Sequence, residues 1–182
     1  MVHRITTKEL LGESLRELAN RRSLDKITVK EIAQNCGITS ATFYNHFKDK
    51  YELIAWILNR QMEEIYSGYA EGNDSWKQTI INMVNVIYHD RVFYKNAFAN
   101  TSGQNSFIVS THSHSIGLLI DIVRERAGSN FNEELTFFVE FYLRATSVTI
   151  MEWILAGCDI PPARLAEYFY QAIPAALQPY LI

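Results

Sequence analysis

Residues Ile27-Thr-Val-Lys-Glu-Ile-Ala-Gln-Asn-Cys-Gly-Ile-Thr-Ser-Ala-Thr-Phe-Tyr-Asn-His-Phe-Lys-Asp-Lys-Tyr-Glu-Leu-Ile54 contain two short helical patterns separated by a glycine. Thr28-Val29-Lys30-Glu31 is a capping box, in which the hydroxyl takes an unpaired amide of the first turn and the carboxylate reaches back to the cap. It opens a helix through Ile32, Ala33 and Cys36. Gly37 breaks that helix, because glycine adopts the left-handed conformation that redirects a chain. A second short helix is predicted from about Ser40 to Phe47, capped by Thr39 or Ser40. Ala33 must be small where the second helix crosses it, and Ile38 and Phe43 wedge both helices onto a core with Ile32 and Leu15. Two short helices around such a turn have helix-turn-helix geometry. The second exposes Thr39, Ser40, Thr42, Asn45 and His46, whose polar groups can reach base edges and phosphates in a major groove. Spacing alone also fits an ordinary helical protein with a polar outer face.

Working outward, Thr6-Thr7-Lys8-Glu9 is another capping box, and Leu11, Leu15, Leu18 and Ala19 follow at helical spacing. On the other side, Lys48-Asp49-Lys50 leads into a longer helix carrying Leu53, Ile54, Ile57, Leu58 and Ile65. Gly68 to Asp74 reads as the clearest break between two halves. Helices are then predicted over about 75–88 and 90–99, a polar connection over 100–104, and helices over about 105–126, 133–156 and 163–177. Pro161-Pro162 marks the entry to the last helix and Pro179 closes it off. No strand alternation is evident. The predicted fold is all-α, with about nine helices: a three-helix helix-turn-helix domain over 1–50, then a helical bundle over 51–182 for ligand binding and dimerisation.

Of the 182 residues, 48% are hydrophobic and 20% charged, a balance that supports a packed core and excludes disorder. The net charge of −3 hides an asymmetry: residues 1–50 carry +3 and the remainder −6, which suits a protein whose first segment touches phosphates. No apolar run approaches the ~20 residues needed to span a bilayer. Cys36 and Cys158 are too distant for a redox pair, so the expected location is the cytoplasm, with no membrane contact. His112 and His114 fail as a metal pair, since side chains two apart on a helix diverge by about 200°. There is no phosphate-cradling glycine loop, HExxH or GxSxG. Ser106, His112 and Asp121 make a triad only on paper, so neither an enzyme nor a cofactor is expected.

The stretch from Ile27 to Ile54 resembles the N-terminal domain of TetR-type regulators, through Glu31-Ile-Ala, Gly37-Ile-Thr, Thr42-Phe-Tyr-Asn-His-Phe47 and Lys50-x-x-Leu53. The resemblance implies that Thr28 bonds a phosphate and that Thr39, Ser40 and Thr42 face the groove or its walls. It further implies that Tyr44 and His46 contact phosphates, that Asn45 reads a base, and that Lys50 places its ammonium on a phosphate. Phe43 and Phe47 are core. A basic residue is frequent in the family where this chain has Ser40, which shifts the expected phosphate affinity toward Lys48, Lys50 and Arg22.

The same resemblance implies a homodimer built on the last two helices and bound to a (pseudo)palindromic operator in double-stranded DNA. Residues 135–155 are apolar on two sides, with Leu135, Phe138, Val139 and Tyr142 on one and Phe137, Phe141 and Val148 on another. The expected dimer face is Phe141, Val148, Leu165, Tyr168, Phe169, Ala172 and Ile173. Residues 93–107 and Trp153-Ile-Leu-Ala-Gly157 resemble a subgroup that includes activators of dihydroxyacetone kinase operons, in which a protein partner senses the small molecule. Candidate pocket residues are Tyr88, His89, Tyr94, Asn105, His112, Tyr142 and Trp153. The expected function is a transcriptional regulator controlled by a small molecule or a protein partner. The alternatives are a partner-dependent co-activator and a helical adaptor that no longer binds DNA alone.

Overall fold

The computed structural model describes residues 5–99 and 104–182, without the side chains of 104–110. Among the described residues ten α-helices follow in order: α1 (Thr7–Ala19), α2 (Val29–Asn35), α3 (Ser40–Tyr44), α4 (Lys50–Ala70), α5 (Trp76–His89), α6 (Arg91–Ala99), α7 (Gln104–Ala127), α8 (Glu133–Leu155), α9 (Pro162–Gln171) and α10 (Gln178–Leu181). Short 3-10 turns occupy Leu24–Lys26, Gly128–Asn130 and Ala175–Leu177. No strand occurs among the described residues. The polar connection expected over 100–104 lies largely outside the described residues, and only Gln104, as the first residue of α7, falls within them.

The helix starts are locally encoded. Thr6 and Thr28 close full capping boxes with Glu9 and Glu31, Thr39 and Ser75 cap α3 and α5, and Asp49 takes the amides of Tyr51 and Glu52. The turn after α2 is equally local. Gly37 has φ +74°, its amide donates to the Gln34 carbonyl, and the Ile38 amide donates to the Ala33 carbonyl at 2.9 Å. This pair of bonds is the Schellman closure that a left-handed residue permits.

Helix α1 packs on α2 and on the start of α4, while the rest of α4 lies against α5 and α7. Leu53, Ile54, Ile57 and Leu58 of α4 are therefore buried, and one continuous core runs from Leu11 to Leu181. The segment Gly68–Asp74 does not separate two halves. Gly68 is still helical, and the turn after it folds α5 back onto α4 within the bundle. Helix α4 begins at Lys50 and packs on α1 as well as on α5 and α7.

The last predicted helix is also shorter than expected. It stops at Gln171, because Pro174 lacks an amide hydrogen and disfavours helix in the residue before it. Pro179 sits in the first turn of α10, where a missing amide hydrogen is harmless, and so does not act as the terminator.

Helix α9 lies along α5 and buries its own apolar stripe there. Leu165, Phe169 and Ile173 are 2%, 6% and 4% exposed, which corrects their expected place on a dimer face. The stripe satisfies this chain's own core, and Tyr142 on α8 donates its hydroxyl to the Phe169 carbonyl at 2.8 Å. By contrast Phe137, Phe141, Val148, Leu155 and Tyr168 are exposed, as is Ala172. Helix α8 thus has an inner side, with Leu135, Val139, Tyr142, Leu143 and Ile150, and a second apolar side facing outward.

Candidate nucleic-acid interface and the cavity behind it

The three N-terminal helices hold α3 with its polar side outward. Leu15, Ile32, Phe43 and Phe47 are buried together. Ser14 adds a buried hydrogen bond to the Ile32 carbonyl at 2.7 Å, tying α1 to α2. Phe43 points in, so its neighbours Thr39, Ala41, Tyr44, Asn45 and His46 stay exposed, with Ser40 and Thr42 half-buried. The Thr39 hydroxyl accepts from the Thr42 amide, and the two threonine oxygens lie 3.0 Å apart. Tyr44 is 59% exposed and stands edge-on to Phe43, a rigid mount for a phenol aimed at solvent. Lys48 is exposed.

Two expected phosphate contacts look different in three dimensions. The Lys50 ammonium turns inward and donates to the carbonyls of Leu24, Asp25 and Ile27 at 2.7, 3.1 and 2.9 Å. An ammonium has three donors, and here all three close the turn between α1 and α2. Lys50 is thus a staple for the domain and not, in this arrangement, a phosphate ligand. Arg22, the other expected contributor, pairs with Glu31 at 2.9 Å. The Thr28 hydroxyl donates to the same carboxylate. The Thr28 amide, then Arg22 and the Thr28 hydroxyl, hold the Glu31 carboxyl down at about 2.

Behind this domain, α4, α5, α6, α7 and α8 line a cavity of about 460 Å³ that is partly open to solvent. Among the expected pocket residues, Tyr94 and His112 line it. Tyr142 borders a smaller void alongside, which shares Tyr66, Met83, Leu143 and Thr146 with the main cavity. Tyr88 and Trp153 do not reach it. Their rings stack on each other at 5.9 Å, and the Trp153 indole donates to the Ile160 carbonyl at 2.8 Å. His89 is exposed at the end of α5, and the Asn105 side chain lies outside the described residues. Met62, Met83, Phe98, Thr111, Arg144 and Ser147 also line the cavity and were not singled out from the sequence. Aliphatic and small polar residues on helices have no local signature of facing a void. Burial, followed by the Arg144 charge, pushes the His112 pKa below its usual value.

Helix α6 connects the two regions. Tyr94 and Phe98 lie at the cavity, while Asn96, between them in sequence, reaches the helix-turn-helix domain. The Asn96 side chain donates to the carbonyls of Ala19 and Arg22 and accepts from the Leu24 amide at 2.9 Å. At the start of α6, Asp90 forms an ion pair with Arg16 of α1. The Gln61 amide donates to Asp90 at 3.3 Å, and the Tyr94 hydroxyl donates to the Gln61 oxygen at 2.7 Å. Among the described residues, no helix is long and apolar enough to cross a membrane.

Comparison with known proteins agrees with this arrangement. Residues 13–57 match the model of bacterial regulatory proteins of the tetR family, and residues 74–175 match that of a transcriptional regulator C-terminal region. The chain is 20% identical over 154 residues to the HTH-type dhaKLM operon transcriptional activator DhaS of Lactococcus lactis, covering 84% of this chain and 82% of that one. A solved structure of a dihydroxyacetone kinase operon activator DhaS superposes with a TM-score of 0.66 at 17% identity, over 98% of this chain and 100% of the other. FadR from Bacillus subtilis, solved in complex with stearoyl-CoA, gives 0.63 at 14% identity over 91% and 97%. The matched families are regulators of transcription and not enzymes, and the chain belongs to the tetR family of bacterial transcriptional regulators, with its DNA-binding region at the N-terminus.

Proposed function

We propose that the chain works as a homodimer that binds a pseudo-palindromic operator through two copies of α3, and that a small molecule in the α4–α8 cavity switches that binding. The observation that carries this reading is the double attachment of α6, with Tyr94 and Phe98 at the cavity and Asn96 on the α1–α2 connection. The two α3 helices must lie about one helical repeat apart to enter successive major grooves. A ligand that displaces α6 alters their separation, and it favours one state by its differential affinity for the two. The exposed stripe of Phe137, Phe141, Val148 and Leu155 on α8, with Tyr168 and Ala172 on α9, is the proposed dimer face. Groove contacts are assigned to Thr39, Ser40, Thr42 and Asn45, and phosphate contacts to Thr28, Tyr44, His46 and Lys48. The domain boundary is placed at Lys50.

A mobility shift of the purified protein with DNA from its own promoter tests this, with salt varied and Tyr44→Ala alongside. Tight binding that weakens steeply with salt, and is weakened further by the substitution, is expected. The likeness to DhaS over most of both chains favours a second reading, a co-activator that needs an effector-sensing protein. In that case the purified protein alone leaves the promoter DNA unshifted. A protein that never shifts it, with or without such a partner, is an adaptor.

A further inference from the structure

The cavity has two chemically distinct walls. Met62 of α4, Met83 and Ile87 of α5 and Phe98 of α6 form an apolar wall. Opposite them, where α7 faces α8, it presents Thr111, His112, Arg144 and Ser147. Arg144 is the permanently charged residue among the described lining residues, and none of those is acidic. Thr111 Oγ1 and His112 Nε2 are shielded from solvent and have no hydrogen-bond partner among the described residues. Folded proteins pair nearly all such atoms, so two orphans on one cavity wall point to a ligand that supplies the partner. The other ring nitrogen, His112 Nδ1, lies 3.1 Å from Ser147 Oγ, which leaves Nε2 as the polar atom available to a ligand. Arg144 pairs with Glu140 through Nη2 at 3.3 Å, an exposed contact that employs one arm of a guanidinium with five N–H donors.

A cationic ligand head would find no carboxylate of its own among the described lining residues, since Glu140, the partner of Arg144, is not one of them. A purely apolar ligand would leave the two orphan atoms unpaired. We infer that the cavity takes an amphipathic monocarboxylate, its head held by Thr111, His112 and Arg144 and its hydrocarbon body against Met62, Met83 and Phe98. A volume of about 460 Å³ lies in the range of about 300–1,000 Å³ that accommodates ligands of moderate size. Three thioethers or aromatics on the apolar side adapt readily to a flexible chain. The inference rests on the cavity being the effector site proposed above.

Isothermal titration of the full-length protein with octanoate, octanol and octyltrimethylammonium tests it. These share a tail and differ in the head. Octanoate is expected to bind about tenfold or more tightly than octanol, with the ammonium weakest. Arg144→Leu is expected to reduce octanoate to the level of octanol and leave octanol unchanged, with the helical content checked by circular dichroism. Arg144→Lys restores part of the difference, and Met83→Trp, which fills the apolar end, removes binding of both. Equal binding of the three amphiphiles, or a preference for octanol or the cation, overturns the carboxylate assignment while leaving the cavity as a ligand site. Binding of none of them, or binding that Met83→Trp does not affect, overturns the cavity reading and the inference with it.

Discussion

The amide of Leu24 donates to Oδ1 of Asn96, 72 residues further along the chain, at 2.9 Å. The same Asn96 side chain donates to Ala19 and Arg22, so one residue of α6 holds the end of α1 and the turn after it. Backbone groups at a helix end have no partner within the helix, and a side-chain amide that both donates and accepts is well suited to take them. Asn96 thereby ties α6 directly to the segment that leads into α2 and α3.

Asn96→Ala is expected to lower stability by about 1–3 kcal/mol, because it leaves part-buried backbone groups without partners. Its larger effect should fall on the coupling between the cavity and α3. Urea unfolding with operator titrations checks both; unchanged stability and unchanged operator affinity would show the bridge to be dispensable.

Lys48 and Lys50 should behave differently despite their proximity. Lys50→Ala removes three charge-assisted bonds to carbonyls and should cost about 1.5–3 kcal/mol in unfolding experiments, with little change in the salt dependence of DNA binding. Lys48→Ala should leave stability within about 0.5 kcal/mol and reduce the salt slope by about one. A salt slope altered by Lys50→Ala instead would return its ammonium to the phosphates.

On the body of the protein, Phe141→Glu places a charge on the outward side of α8, where the phenylalanine is 59% exposed. A folded monomer is expected by sedimentation analysis, with helicity retained. Leu165→Ala, in the α5–α9 seam, should lower stability by about 2–5 kcal/mol through the void it leaves. If Leu165→Ala dissociates a fully folded dimer, the internal assignment of that stripe is wrong.

Acid titration reports on the α2 cap. The Glu31 carboxyl is held at about 2, below its ordinary 4.5, mainly by the Thr28 amide and then by Arg22 and the Thr28 hydroxyl. A depressed folded value means that the contribution is fully present above about 4.5 and is lost as pH falls toward 2. The stability difference between the wild type and Glu31→Gln should therefore narrow across that window. A difference that stays constant there would mean that the cap does not depend on the charge.

Much of the candidate interface was legible in the sequence because its cues act over a few residues. Phe43 and Phe47 are buried and Tyr44, Asn45 and His46 exposed, although α3 ends at Tyr44 and not at Phe47 as its apolar spacing suggests. The cavity was less legible. Tyr94 and His112 reach it, whereas Trp153 turns to Tyr88 and Ile160, since an aromatic on a helix does not specify the neighbour that covers it.

The sequence by itself determined where the helices begin and turn. Thr6, Thr28, Thr39, Asp49 and Asn132 cap them, and Gly37 supplies the left-handed closure of α2, all through contacts within about five residues. Only the tertiary structure decided what each apolar stripe meets and where each long polar side chain ends. Lys50 turns to carbonyls more than twenty residues away, Asn96 spans from the bundle to α1, and the stripe of α9 closes on α5 while α8 keeps one side outward. An amphipathic pattern requires that a face be buried, but the partner is selected by how all the helices pack together.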